Sequence, residues 1–185
     1  MIEGPEGCVL VCKGAAVGVL DACVSISTPS GAVALSESER TEANRLLDQW
    51  GDRGSRVLAV AIREMSATDD CSPKAETGMT LIGYLLFTDP LKPGIADSVG
   101  ALKTSGIDLR IISGDSRRVA QHVAEQVGLA SSVLVGPDLV GLGDRAFARR
   151  VSDVSVFAEI APDQKERIVA TLKKAGHTVG YLGDG

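Results

Sequence analysis

The stretch Ile107-Asp-Leu-Arg-Ile-Ile-Ser-Gly-Asp-Ser116, followed directly by Arg117-Arg-Val-Ala-Gln-His-Val-Ala-Glu-Gln-Val-Gly128, decides the fold. Its first six residues read as a strand, Ser113-Gly114-Asp115 as a tight strand-end loop, and Ser116 as the start of a helix that Gly128 ends. The same alternation extends in both directions. Upstream, Leu81–Phe87 reads as a strand and Ile95–Thr104 as a helix stopped at Gly106. Downstream come a short strand at Val133–Val135, a helix to Arg150, a strand at Val154–Ala158, a helix at Pro162–Ala175 and a last strand at His177–Leu182. Strands alternating with helices predict an α/β fold with a parallel, doubly wound, Rossmann-like sheet.

The residues before this series follow another pattern. Cys8–Cys12 has strand length, Gly14–Cys23 reads as a small helix, and Val24–Leu35 reads as a hairpin turning on Thr-Pro-Ser-Gly. Ser36 with Glu39 three residues later forms a capping box, and Ala43, Leu46, Leu47 and Trp50 give the helix behind it an apolar face. Arg56–Ile62 is a further strand. The polar run at 66–77, with Asp69, Asp70 and Pro73, reads as a surface loop. The chain is therefore expected to hold two regions: an α+β module over residues 1–88, and an incomplete Rossmann-like sheet over 89–185.

Composition narrows the functional classes. The 185 residues are 44 % apolar and 23 % charged, with a formal net charge of −5. A phosphate polymer needs a cationic face, so non-specific nucleic-acid binding is not expected. A single nucleotide is compatible, because a few local cations and backbone amides suffice to hold it. Cys8, Cys12, Cys23 and Cys71 form no CxxC pair, and His122 and His177 make no cluster with them. Reduced core thiols, and no zinc site, are expected. No stretch approaches the roughly 20 apolar residues that cross a bilayer, and the first residues lack a signal-peptide pattern.

In open parallel sheets, ligands gather beyond the carboxyl ends of the strands. Those ends carry Asp89 in Thr-Asp-Pro, Asp115 in Ser-Gly-Asp and Asp184 in Gly-Asp-Gly. Carboxylates crowded on one rim repel unless a cation joins them. Lys165, in the first turn of the helix after Pro162, is one candidate; a hard ion such as Mg²⁺ is another. Taken singly, each feature has a plainer reading as turn former, helix cap or solvated lysine. Their ordered placement points to a phosphoryl site, where Lys and Mg²⁺ stabilise spread negative charge.

These runs resemble the P-type cation-transporting ATPases of the haloacid dehalogenase superfamily. The second region resembles their phosphorylation domain through Asp89-Pro-Leu-Lys92, Ser113-Gly-Asp115, Phe157-Ala158 with Pro162-Asp-Gln-Lys165, and Gly183-Asp-Gly185. The first resembles the later part of their nucleotide-binding domain through Lys13-Gly-Ala15 and Arg56-Val-Leu-Ala-Val-Ala61. Pro162-Asp-Gln-Lys165 together with the run from Gly176 to Gly185 is most similar to the magnesium-transporting class, with the proton pumps as neighbours.

The resemblance implies ATP and Mg²⁺ as cofactors and transfer of the γ-phosphoryl to an aspartate. It implies that Lys13 and Gly14 line the adenine pocket and that Arg56 approaches the ATP phosphates. Asp89 and Lys92 then lie at the hinge of the nucleotide domain. Ser113 gives its hydroxyl to the phosphoryl group, Gly114 and Asp115 lie beside the nucleotide, Lys165 neutralises the phosphoryl oxygens, and Asp184 ligates Mg²⁺. It places this segment on the cytoplasmic side of a multi-pass membrane pump, with that pump's membrane and actuator domains as partners.

Several departures accompany the likeness. No Asp-Lys-Thr-Gly-Thr segment occurs, so the chain is expected not to phosphorylate itself. Ser113 stands where Thr is usual, Leu91 where a second Pro is common, and Glu159 where many cation pumps carry a basic residue. Competing readings are a soluble phosphatase of the same superfamily, which needs a nucleophilic Asp before Asp89, and a non-catalytic nucleotide-binding module.

Overall fold

The computed structural model describes residues 2–4, 7–66, 75–129 and 132–183. The chain divides into two compact units, residues 1–51 with 55–88 and residues 52–54 with 89–185. Each has its own core.

The first unit is a six-stranded mixed sheet with two helices on one face. Its elements are β1 (Ile2–Gly4), β2 (Gly7–Ala15), α1 (Ala16–Ala22), β3 (Cys23–Thr28), β4 (Gly31–Ala34), α2 (Glu37–Asp52), β5 (Ser55–Met65) and β6 (Met79–Thr88). The sheet order is β1-β2-β5-β6-β3-β4. All pairings are antiparallel except β3 with β6. Alternation sends Cys8, Leu10, Ala59, Ala61, Met79 and Leu81 to one face, where Ala16, Val19 and Leu20 of α1 and Ala43 of α2 cover them. The Trp50 ring meets Tyr84 edge-on at 5.3 Å on that face. Burial raises the pKa of the Tyr84 phenol, and also that of the Cys23 thiol.

Two expected local devices are present. The 23–34 hairpin forms, closed by Thr28 Oγ1 donating to Gly31 O at 2.7 Å. The capping box is reciprocal: Glu39 N–H donates to Ser36 Oγ at 3.3 Å, and Ser36 N–H donates to Glu39 Oε2 at 2.7 Å. Arg40, one residue on, donates to the carbonyls of Leu20 and Cys23 and so closes the exposed end of α1. The hydrogen bonds from Ser36, the backbone N–H first, hold the Glu39 carboxyl below its ordinary pKa. A depressed folded pKa gives stability that is present above the unfolded value and lost as pH falls through the folded one. In Glu39→Gln, which still offers an acceptor oxygen, the acid-side fall in melting temperature below about pH 4.3 should be shallower than in the parent. Parallel slopes in thermal scans would contradict this.

The second unit holds α3 (Ile95–Thr104), β7 (Ile111–Ile112), α4 (Arg117–Gln126), β8 (Val133–Val135), a 3₁₀ turn (Gly136–Leu139), α5 (Asp144–Ser152), β9 (Val156–Ala158) and α6 (Pro162–Lys174). The strands pair in parallel in the order β7-β9-β8. Val156, Phe157 and Ala158 of the central strand are all fully buried, as a parallel strand covered on both faces requires. Val156 and Ala158 meet Ala120 and Ala124 of α4. Phe157 meets Phe147 and Val151 of α5, and Ile168 and Leu172 of α6. The chain reverses its direction across the sheet between β8 and β9, so keeping right-handed crossovers puts α5 on the face opposite α4. The α/β, Rossmann-like expectation holds.

Three expectations do not. The strand at 81–87, read as opening the parallel series, is β6 of the mixed sheet, so Asp89 does not follow a strand of the parallel rim. Residues 107–110 are not strand: β9 is only three residues long and leaves them nothing to pair with. The Arg110 guanidinium instead donates to Val151 O, Val154 O and Ser152 O at the end of α5. The run His177–Leu182 forms no strand either. It begins after Gly176 at φ 91°, includes Gly180, and only Val179 packs on the core. No described helix is long and apolar enough to cross a membrane.

Candidate functional site

The second unit's site follows from its winding. The helix after β7 lies on one face of the sheet and the helix after β9 on the other, although β7 and β9 are neighbours. Adjacent strands whose helices leave to opposite faces open a crevice at their carboxyl ends, where open α/β sheets bind ligands. No such crevice separates β9 from β8, since α5 and α6 share a face.

Ser113-Gly114-Asp115 leaves β7 at this crevice, and Glu159–Lys165 leaves β9. The two loops are laced together. Ser113 N–H donates to Phe157 O at 2.9 Å, Ile160 N–H to Ser113 O at 3.0 Å, and Glu159 N–H to Asp115 O at 2.8 Å. Ser113 Oγ donates to Asp115 Oδ2 at 2.7 Å and accepts the Asp115 N–H at 3.1 Å. A serine hydroxyl has one proton. To donate to a phosphoryl oxygen, Ser113 must release Asp115, which the sequence alone does not indicate.

Lys165 lies one turn into α6, its N–H bonded to Ala161 O at 3.0 Å. The structure thus brings the segments bearing Ser113, Gly114, Asp115 and Lys165 to one rim. Asp184, the expected Mg²⁺ ligand, lies outside the described residues. No group of three His, Cys, Asp or Glu among the described residues could hold a metal ion. Asp115 is the expected site carboxylate described at the crevice, and it is engaged with Ser113. One carboxylate fits a hard ion only where phosphate oxygens complete its shell.

Three residues that shape this rim lie outside the expected site set. Glu159 has a left-handed backbone, φ 56°, uncommon outside glycine, and its carboxylate accepts the first N–H of α4 from Arg117 at 3.1 Å. Gln164 accepts Ala161 N–H through Oε1 at 3.0 Å and donates from Nε2 to Gly136 O at 2.9 Å. Gly136 leaves no room for a side chain: a Cβ there would meet Glu159 O at 2.2 Å and Gln164 Oε1 at 2.7 Å. A glutamine three residues past the N-cap was the available signal for the second of these.

In the first unit, Lys13 and Arg56 project from the sheet face that α1 and α2 do not cover. Lys13 pairs across with Val60, and Arg56 with Phe87. Leu58, paired with Leu85, lies between them on the same face. Leu85 and Phe87 are 42 % and 50 % exposed, so two cations flank an open apolar floor. Gly14 points its missing side chain the other way, toward Val19, leaving its backbone to the open side. Asp89 and Lys92 are exposed in the segment after β6.

Two families of known proteins match the chain, overlapping over residues 60–94. The family described as P-type ATPase, cytoplasmic domain N, matches residues 2–94, and the haloacid dehalogenase-like hydrolases match residues 60–185. Among curated proteins, the chain is 40 % identical over 178 residues to "Magnesium-transporting ATPase, P-type 1" of Salmonella typhimurium strain LT2, covering 95 % of this chain and 20 % of that protein. The protein of the same name in Escherichia coli K12 is 38 % identical over 185 residues, covering 99 % of this chain and 21 % of that protein. "Probable cation-transporting ATPase F" of Mycobacterium bovis is 34 % identical over 186 residues, covering 96 % and 20 %. The chain therefore spans about a fifth of the length of these relatives. With the domain-N match over the residues that carry Lys13 and Arg56, and the hydrolase match over those that carry Ser113 through Lys165, the chain belongs to the P-type ATPases, within the haloacid dehalogenase-like hydrolases.

Proposed function

We propose that this chain is the ATP-handling and phosphoryl-handling segment of a cation-transporting P-type ATPase, with Mg²⁺ as the transported ion. The observation that carries the reading is the crevice between β7 and β9, where a Ser-Gly-Asp loop and a helix-start lysine leave adjacent parallel strands for opposite faces. A transferring phosphoryl group presents three charged oxygens, and a lysine with loop amides and hydroxyls suits that charge. In this reading Lys165 neutralises the phosphoryl oxygens and Ser113 donates to one of them once freed from Asp115. Gly114 keeps the loop low beside the nucleotide. Asp115 lies beside the nucleotide, and Asp184 supplies carboxylate for Mg²⁺.

The open face of the mixed sheet is the nucleotide side. Leu58 and Leu85 offer a floor for the adenine, Lys13 and the Gly14 backbone border it, and Arg56 faces the phosphates. Residues 1–88 form part of the nucleotide-binding domain and 89–185 part of the phosphorylation domain, with Asp89 and Lys92 at the hinge. The partners are the membrane-crossing and actuator parts of such a pump, and the segment works on the cytoplasmic side of the membrane. Mg²⁺ as cargo rests on the names of the relatives.

Calorimetric titration with Mg·ATP tests the nucleotide half. The 185-residue chain should bind ATP, and the double variant Lys13→Ala/Arg56→Ala should weaken binding by about 1.5–3 kcal/mol for each charged hydrogen bond removed. Equal affinity in the double variant would remove the site from this face. Incubation with γ-labelled ATP should leave the chain unlabelled, as no Asp-Lys-Thr-Gly-Thr lies within it. A hydroxylamine-sensitive label would refute that expectation, and Mg²⁺-dependent hydrolysis of p-nitrophenyl phosphate would favour the soluble phosphatase instead.

A further inference from the structure

Resting on the phosphoryl reading of the β7/β9 crevice, we propose that Gln164 is a positioning residue for Lys165: it clasps the tip of β9 to the tip of β8 and so fixes where the lysine stands.

The geometry is specific. Gln164 sits at the third position of α6, immediately before Lys165. Its amide makes two different bonds: Oε1 takes the N–H of Ala161 at 3.0 Å, and Nε2 gives a proton to Gly136 O at 2.9 Å. Only one orientation of the amide satisfies both, since an N–H must meet a carbonyl oxygen and an oxygen must meet an N–H. Ala161 is the residue before α6 and has no side-chain acceptor, so Gln164 supplies one arm of a capping box whose other arm is missing. The second bond crosses to another strand and is not capping at all.

Gly136 fits the far end of the clasp. No positive φ demands glycine there; space does, because a Cβ would collide with Glu159 O and with Gln164 Oε1. The glycine therefore lets the two strand tips and the Gln164 amide close on one another. Glu159, the residue after β9, keeps its left-handed conformation with two bonds to the segment after β7: its N–H to Asp115 O and its carboxylate from Arg117 N–H. The loop bearing Ser113 and Asp115 and the helix start bearing Lys165 are thereby tied through one short segment. A cation that must meet developing charge needs such a support, because an ammonium on a flexible stem does not fix its own position.

The test uses the full chain, ¹⁵N-labelled, with inorganic phosphate as probe at fixed Mg²⁺, reading the amide shifts of Ser113, Gly114 and Lys165 together with the melting temperature. Gln164→Met removes both bonds at similar volume, whereas Gln164→Glu keeps the bond from Ala161 N–H but sets a carboxylate oxygen against Gly136 O. Gly136→Ala pushes the amide away from the other end. All three should raise the apparent Kd for phosphate about tenfold, the usual cost of losing an outer-shell support. If Gln164→Glu binds like the parent, the residue is only a helix cap and the proposal is overturned. It is equally overturned if Gln164→Met and Gly136→Ala lower the melting temperature without changing phosphate affinity. If the parent itself shows no phosphate-dependent shift at Lys165, the phosphoryl reading fails and takes this one with it. A parent response that Lys165→Met abolishes, with the clasp variants unaffected, defeats the clasp alone.

Discussion

Lys165→Met should lose phosphate affinity more completely than any other single substitution in the second unit. The lysine starts α6 at the switch-point crevice, and the expected site carboxylate on that rim is already engaged with Ser113. Removing a charged hydrogen bond costs about 1.5–3 kcal/mol, so the apparent Kd for inorganic phosphate should rise by between about tenfold and a hundredfold. Lys165→Arg should recover only part of this: it keeps the charge but replaces a compact ammonium by a planar fork. Fold damage is not expected, because Lys165 is half-buried and the first turn of α6 is held by Gln164 and Pro162. Phosphate titration by calorimetry checks it, and a Lys165→Met chain that binds phosphate as the parent does would remove the lysine from the site.

Phe147→Ala should be the most damaging core truncation. The ring is 1 % exposed and lies with Leu139, Val151, Phe157, Ile168 and Leu172. The Arg167 guanidinium carbon stands 4.0 Å from its centroid, while Arg167 also donates to Leu142 O and Asp144 Oδ1. Burying a phenylalanine and then deleting it costs about 3–5 kcal/mol, and a cation–π contact at a partly exposed site adds about 0.5–1 kcal/mol. Domains of this size are commonly stable by only about 5–15 kcal/mol, so the second unit should melt well before the first. Among the described residues, no side chain belongs to both the first unit's core and the second's. Thermal scans with amide spectra should therefore show β7–β9 signals lost while β2 and β5 signals persist. Simultaneous loss of both would show that the units do not melt separately.

The parts of this fold that are legible in the sequence are those fixed by local chemistry. Ser36 and Glu39 make their capping box because the residues that satisfy each other are three apart. The Thr28–Gly31 hairpin closes for the same reason, and α3, α4 and α6 begin and end near their Gly and Pro punctuation. What the sequence does not disclose depends on distant partners. The apolar run in β6 suits a strand in either sheet, and only its pairing with Ser55–Ile62 on one side and Cys23–Ile26 on the other places it in the mixed one. The runs at 107–110 and 177–182 look extended, yet a strand needs a neighbour, and β9 is too short to offer one to the former.

The site divides in the same way. Ser113, Gly114, Asp115 and Lys165 stand out because each sits at the end of its own element, so a pattern in one dimension finds them. Gln164 with Gly136, and Glu159 with Arg117, are pairs 28 and 42 residues apart. No spacing rule connects them, and only the adjacency of β8 and β9, and of β7 and β9, brings them together. The engagement of the Ser113 hydroxyl by Asp115 is also invisible beforehand, since a short Ser-Gly-Asp loop can point its hydroxyl to solvent, ligand or carboxylate.

The most direct measurement is a phosphate titration of the unmodified ¹⁵N-labelled chain at fixed Mg²⁺, read amide by amide. Saturable shifts should concentrate at Ser113, Gly114, Asp115 and Lys165, on both sides of the β7/β9 crevice. Shifts confined to other surfaces, or no saturable response at all, would contradict a phosphoryl site between those strands.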